Sequence, residues 1–222
     1  MSKVCELKEA LTAVKDGATI MVGGFLGVGT PATVIDGLVE RKVKDLTLIC
    51  NDTATPEIGV GKFVVGRQLK KAIVSHIGTN PETGRQMMAG ELDVVLTPQG
   101  TLAEQIRAGG AGLGGILTPT GVGTVVAEGK EVLTVGGRQF LLELPLRADV
   151  ALLKAARADK AGNLVLRRSA RNFNPIMALA ADVVIAEAEE IVEVGAIDPD
   201  EIMVPGVLVD FIVHGKGGTA NG

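Results

Sequence analysis

The chain contains no tryptophan and no tyrosine, and its five phenylalanines are its only aromatic residues. Proteins that bind single-stranded nucleic acid stack bases on aromatic faces, and duplex binders carry a basic surplus. A formal net charge of −4 supplies neither feature, so nucleic acid is excluded as a partner. Cysteine and histidine occur twice each. Cys5 and Cys50 match no metal or redox spacing, and only His76 and His214 could add imidazole ligands, so no metal site is expected. Apolar runs fall short of a membrane span. Lys3, Glu6, Lys8 and Glu9 interrupt the first eleven residues, which therefore do not read as a signal peptide. The expected setting is a reducing cytoplasm with no membrane association and no permanently bound cofactor.

Hydrophobic residues make up 46% of the 222 positions, so the core is aliphatic and large enough for one α/β domain. Helical spacing of Val4, Leu7, Leu11 and Val14 predicts a first helix that stops at Asp16-Gly17. Ala18–Val22 is a short unbroken apolar run, the mark of a buried strand. A second helix is expected from Pro31 to Arg41. Strand-like runs follow at Leu46–Cys50, Ala72–Ser75 and Asp93–Thr97, an alternation that predicts a mostly parallel sheet flanked by helices. Gly109 to Gly137 reads as hairpins and loops. The alternation then resumes with Phe140–Leu144, Asp149–Leu153, Leu164–Leu166, a helix over Asn172–Ala181, and Val183–Ala186. One domain is expected over residues 1–214, with a small, polar, flexible tail over 215–222.

The 30 glycines cluster between apolar runs. The densest functional candidate is DGATIMVGGFLGVGTP, Asp16 to Pro31, where a strand enters a glycine loop and then a proline-started helix. Bare amides at such a helix start favour phosphate or carboxylate, although a tight turn without a ligand fits the same pattern.

That run resembles the first signature of the family I CoA-transferases, with its Asp-Gly, three apolar residues, Gly-Gly-Phe and spaced Gly and Pro. The resemblance continues through LTPQGTLAEQIRAGGAG (Leu96–Gly112), ADKAGNL (Ala158–Leu164), ARNFNP (Ala170–Pro175) and VEVGAIDPDEI (Val192–Ile202). It implies the α/β fold of that family and the role of α subunit in a heteromeric enzyme. Such an enzyme moves CoA between a short-chain acyl-CoA and a carboxylic acid: acetate, butyrate, acetoacetate or another 3-oxoacid. CoA would be a substrate, bound by Gly24, Phe25, Leu26, Gly27, Val28, Gly29 and Thr30. Gln99 would stabilise the oxyanion from a Pro98–Gly100 turn. The family's nucleophilic glutamate lies in a Ser-Glu-Asn-Gly stretch that this chain lacks. The resemblance therefore implies a partner β subunit that supplies it, in an α2β2 assembly. Glu128, Glu143, Glu187 and Glu189 are not nominated for that role. A ligand-sensing domain and a sugar-phosphate isomerase on a related fold are the alternatives.

Other constellations stay open or fall away. Gly110–Gly115 satisfies GxGxxG, but it follows a helix rather than a strand, so no dinucleotide site is expected. Arg167, Arg168 and Arg171 form a cluster that either meets CoA phosphates or lies solvated or against a subunit. Asn51 and Asp52 line an acyl pocket or cap the turn after their strand. His76 and His214 are read as structural, and Met87 and Met88 as helix residues facing packing or a subunit.

Overall fold

Parallel strands buried on both faces need nearly continuous apolar sequence, and the strands Thr19–Val22 and Leu46–Ile49 in the middle of this fold have it apart from Thr19 and Thr47. The computed structural model describes residues 2–215; residues 216–222 of the expected tail lie outside them. In chain order the elements are α1 (Leu7–Ala10), β1 (Thr19–Val22), α2 (Ala32–Glu40), β2 (Leu46–Ile49), α3 (Gly61–Val65), β3 (Leu69–Val74), α4 (Pro81–Met88), β4 (Asp93–Leu96), α5 (Gln99–Ala111), β5 (Ile116–Thr118), β6 (Val132–Val135), β7 (Arg138–Glu143), β8 (Ala148–Asp159), β9 (Leu164–Val165), α6 (Asn174–Leu179), β10 (Ala181–Val192) and β11 (Phe211–His214).

The main sheet runs β11-β10-β8-β1-β2-β3-β4, with every neighbour in that path parallel and β9 antiparallel on β8. Strand side chains alternate between faces. Ile20, Val22, Leu48 and Leu152 therefore join one core layer under α2 and α3. Met21, Ile49, Ala151 and Leu153 join a second layer under α5 and α6. The chain builds from β1 outward to β4, then returns to lay β8 against the other side of β1. This reversal makes a crevice beyond the carboxyl ends of β1 and β8, where open α/β sheets bind ligands.

Several expectations need correction. The first helix is a single α turn and a following 3-10 turn, and Val4 instead bridges Ile212 beside β11. β8 and β10 each span twelve residues, well beyond the expected runs. Their carboxyl halves carry Lys154, Arg157, Glu187 and Glu190, which face each other in register and break the apolar pattern. Gly109 and Gly110 belong to α5 rather than to a loop. A Cβ on Gly109 would lie 1.9 Å from the Leu146 carbonyl oxygen, and one on Gly110 would lie 2.6 Å from Leu179 Cβ. These glycines let α5 pack closely against its neighbours. The expected Phe140–Leu144 strand is β7, which leaves the main sheet and forms an antiparallel one of order β5-β7-β6. Gly215 is buried and its N–H donates to Ala188 O, 2.8 Å away. Among the described residues, no helix is long and apolar enough to cross a membrane.

Candidate active site

β1 runs straight into the glycine loop, and the Gly23 N–H extends its ladder by donating to Leu152 O. Phe25 and Val28 then exchange two backbone hydrogen bonds of 2.9 Å each. Between them Leu26 and Gly27 have φ of 47° and 85°, the two positive values of a type I′ turn. Positive φ costs a leucine about 1–2 kcal/mol. The Leu26 N–H is held there by Asp52 Oδ2 at 2.9 Å. Asp52 in turn accepts from Ala54 N–H and from Asn51 Nδ2, each at 2.7 Å.

Gln99 is reached through the same chain of contacts. It is the first residue of α5, not the middle of a turn, because Pro98 occupies the N-cap. Its Nε2 donates to Asn51 Oδ1 at 2.6 Å. Asn51 and Asp52 are almost fully buried, and Ser75 Oγ donates to the Asn51 carbonyl at 2.7 Å. The glycine loop and Gln99 are thus joined by Leu26, Asp52 and Asn51. Phe25 and Gln99 also line one cleft of about 300 Å³, with Gly100, Arg107, Asn172 and Phe173.

The anion site expected at the start of α2 is already filled. Glu187 Oε2, on β10, accepts the Thr33 and Val34 N–H groups, and Lys154 Nζ lies 3.1 Å from Oε1. The loop's own amides remain. The N–H groups of Gly24, Phe25, Leu26 and Val28 are engaged, while those of Gly27, Gly29 and Thr30 have no hydrogen-bond partner among the described residues. Unpaired amides on a half-buried loop suit a carbonyl, thioester or amide oxygen.

Sequence reasoning missed the residues that grip the loop from behind. Asn172 Oδ1 accepts from Gly24 N–H at 3.2 Å, and its Nδ2 donates to Val28 O at 3.3 Å. Asn174 Nδ2 donates to Gly29 O at 2.9 Å. The ARNFNP run held the signal, since two asparagines at the start of a short helix have side chains able both to donate and to accept.

The remaining candidates lie elsewhere. Arg167, Arg168 and Arg171 are exposed; Arg167 pairs with Glu189 at 3.2 Å, and Arg171 Nε donates to Leu166 O. Arg167 and Arg171, together with Arg157, line a separate cleft of about 440 Å³. His76 is exposed and its backbone bridges Asp52; His214 is exposed at the end of β11. Met87 and Met88 are exposed at the end of α4. Cys50 lies beneath the loop, where burial and then the Asp52 charge push its thiol well up from the ordinary cysteine range. Among the described residues no cluster of His, Cys, Asp and Glu could hold a metal ion.

A glycine loop at the switch point of a parallel sheet, hydrogen-bonded through Asp52 and Asn51 to Gln99, is the architecture of a doubly wound α/β protein, and comparison with known proteins gives the family. The Coenzyme A transferase family matches residues 4–215, and the chain belongs to it. The chain is 58% identical over 212 residues to the acetate CoA-transferase subunit alpha of Escherichia coli K12, covering 96% of each chain. It is 50% identical to the acetoacetyl-CoA:acetate/butyrate CoA transferase alpha subunit of Clostridium acetobutylicum, over 96% of this chain and 97% of that one. The crystal structure of an acyl-CoA transferase from E. coli O157:H7, a thioester complex with CoA, has the same fold, with a TM-score of 0.88 at 20% identity. This chain aligns over 98% of its length with that structure but spans only 48% of the longer chain. Neither the sensing-domain nor the isomerase alternative gains support from these similarities.

Proposed function

We propose that this chain is the α half of a two-subunit CoA-transferase that moves CoA between a short-chain acyl-CoA and a carboxylic acid. The acids are acetate, butyrate, acetoacetate or a related 3-oxoacid, in line with the names of its relatives. One observation carries the reading: the hydrogen-bonded path from Leu26 through Asp52 and Asn51 to Gln99 ties the loop to the glutamine, and Phe25 of the loop shares a cleft with Gln99.

In this mechanism the amides of Gly27, Gly29 and Thr30 receive the thioester end of CoA. A glutamate carboxylate of the partner β subunit attacks the thioester carbonyl, the C–S bond breaks, and CoA leaves as thiolate. The thiolate attacks the glutamyl carbonyl of the resulting anhydride, releasing the first acid and leaving a glutamyl-CoA thioester. The second acid reverses these steps. Gln99 Nε2 uses one hydrogen on Asn51 and keeps the other for the developing oxyanion. Among the described residues, the two carboxylates hydrogen-bonded to the loop and to the start of α2 are not free: both oxygens of Asp52 and of Glu187 are engaged, and both residues are buried. We place this divided site in an α2β2 enzyme of the reducing cytoplasm, a reading with which the free Cys5 and Cys50 agree.

The test is intact mass spectrometry of the assembled enzyme after exposure to acetyl-CoA. CoA should add to the partner subunit alone, and the isolated chain should exchange no labelled acetate into acetyl-CoA. An adduct on this chain, or exchange without the partner, would overturn the proposal.

A further inference from the structure

We infer that Asn172 and Asn174 are positioning residues that hold the glycine loop in its binding shape and leave three of its amides free. This inference rests on the reading of the loop as the CoA site. Asn174 is fully buried and has three of its hydrogen-bonding positions filled. Its Oδ1 accepts from Lys154 N–H at 3.0 Å, which ties it to β8. Its Nδ2 donates to the carbonyls of Gly29 and Ala170, each at 2.9 Å. Asn172 is half-buried and grips the other limb of the loop, accepting from Gly24 and donating to Val28.

The glycines fit this clamp. A Cβ on Gly23 would lie 1.9 Å from Asn174 Oδ1, and one on Gly29 would lie 2.8 Å from Ala170 Cα. The loop is pressed against the asparagine segment so closely that only hydrogen can occupy those positions. The clamp takes one N–H and two carbonyls, and the Phe25–Val28 pair and Asp52 take three more N–H groups. The amides of Gly27, Gly29 and Thr30 are left with no acceptor among the described residues. A loop without the clamp would sample shapes that bury or scatter those donors, and each binding event would have to reorder them.

The experiment uses the assembled α–β enzyme carrying Asn172→Ala or Asn172→Asp, with Gly27→Val as a direct loop variant. Asn172 is chosen because the buried Asn174 risks misfolding on substitution. Losing the two hydrogen bonds to the loop, beside the local one from Phe173 N–H, should raise KM for acyl-CoA about tenfold while KM for the acid acceptor holds. Asn172→Asp has the same shape but sets an oxygen against the Val28 carbonyl, so it should be at least as damaging as alanine. If Asn172 only fills space, Asp restores wild-type KM and the inference fails. Hydrogen exchange gives a readout independent of CoA: in the unliganded complex, amides of residues 23–30 should exchange about tenfold faster in Asn172→Ala, with the core unchanged. Unchanged exchange overturns the clamp. If Gly27→Val raises KM and the Asn172 variants do not, the clamp falls and the CoA reading stands. If the Asn172 variants speed exchange but neither they nor Gly27→Val changes KM, the loop is held as inferred but is not the CoA site, and the positioning role falls with that reading.

Discussion

Glu187 Oε2 sits 2.8 Å from the Thr33 amide nitrogen and 3.1 Å from that of Val34, so a carboxylate on β10 caps α2 from across the sheet. Pro31, the N-cap residue, has no side chain able to do this. The same carboxylate pairs with Lys154, whose side chain is only 13% exposed. Removing one member of a buried pair leaves its partner uncompensated, so Glu187→Ala should cost about 3 kcal/mol. Glu189 Oε1, 3.6 Å from Lys154 Nζ, limits the loss. Glu187→Gln should cost less, because an amide oxygen still accepts from both α2 amides. Chemical denaturation of the purified chain checks the ranking, which fails if Gln is as harmful as Ala.

Gln99 is exposed and, among the described residues, its one side-chain hydrogen bond is to Asn51, so folding depends little on it. In the assembled enzyme, Gln99→Ala should lower kcat about 10²–10³-fold if its free N–H faces the oxyanion. The unfolding midpoint should hold. Steady-state kinetics beside a thermal melt separates the two effects. Turnover near wild type would remove Gln99 from the mechanism.

Burial decided which parts of the fold were legible. β1 and β2 lie in the middle of the sheet, and their runs are apolar but for Thr19 and Thr47, so pattern reading finds them. β8 and β10 were read short because Lys154, Arg157, Glu187 and Glu190, in register across the two strands, break the apolar pattern. A charged register is invisible until both strands are placed. The start of α5 was hidden by Pro98-Gln99-Gly100, which reads as a turn but serves as a helix N-terminus. The loop and Gln99 were legible one at a time through the family motif. Their union was not, since Gln99 meets Asn51 across 48 positions and Asn172 meets Gly24 across 148. Local patterns carry no information about such pairings.

Two loop glycines should respond differently to the same added methyl group. Gly27 and Gly29 both have positive φ, so alanine strains either one. At Gly27 the new Cβ meets a methyl of Ile58 at 2.7 Å, a side chain that can move aside. At Gly29 it meets the Ala170 backbone at 2.8 Å, which cannot. Gly27→Ala should therefore cost only the backbone strain, about 1 kcal/mol. Gly29→Ala should cost at least twice that and also loosen the asparagine segment. Equal unfolding midpoints for the two variants would contradict this account.

The buried thiol of Cys50 gives a pH dependence of determinate sign. Burial, and then the Asp52 charge, raise its folded pKa well above the ordinary 9.0. Above about pH 9 an unfolded chain loses this proton while the folded chain keeps it, so the folded state binds more protons and stability falls as pH rises. The stabilisation is fully present below pH 9. From there it declines by up to about 1.4 kcal/mol per pH unit until the folded thiol ionises. The Cys5 thiol is raised too, by burial and by Glu9, and adds to the same slope. Unfolding free energies measured from pH 8 to 10.5 should fall less steeply in Cys50→Ala than in the wild type, whatever the variant loses at neutral pH from its cavity. A thiol reagent at pH 8 should leave Cys50 unmodified until denaturant is added. Parallel slopes, or prompt modification of Cys50 in the folded chain, would show that the thiol is not sealed beneath the loop.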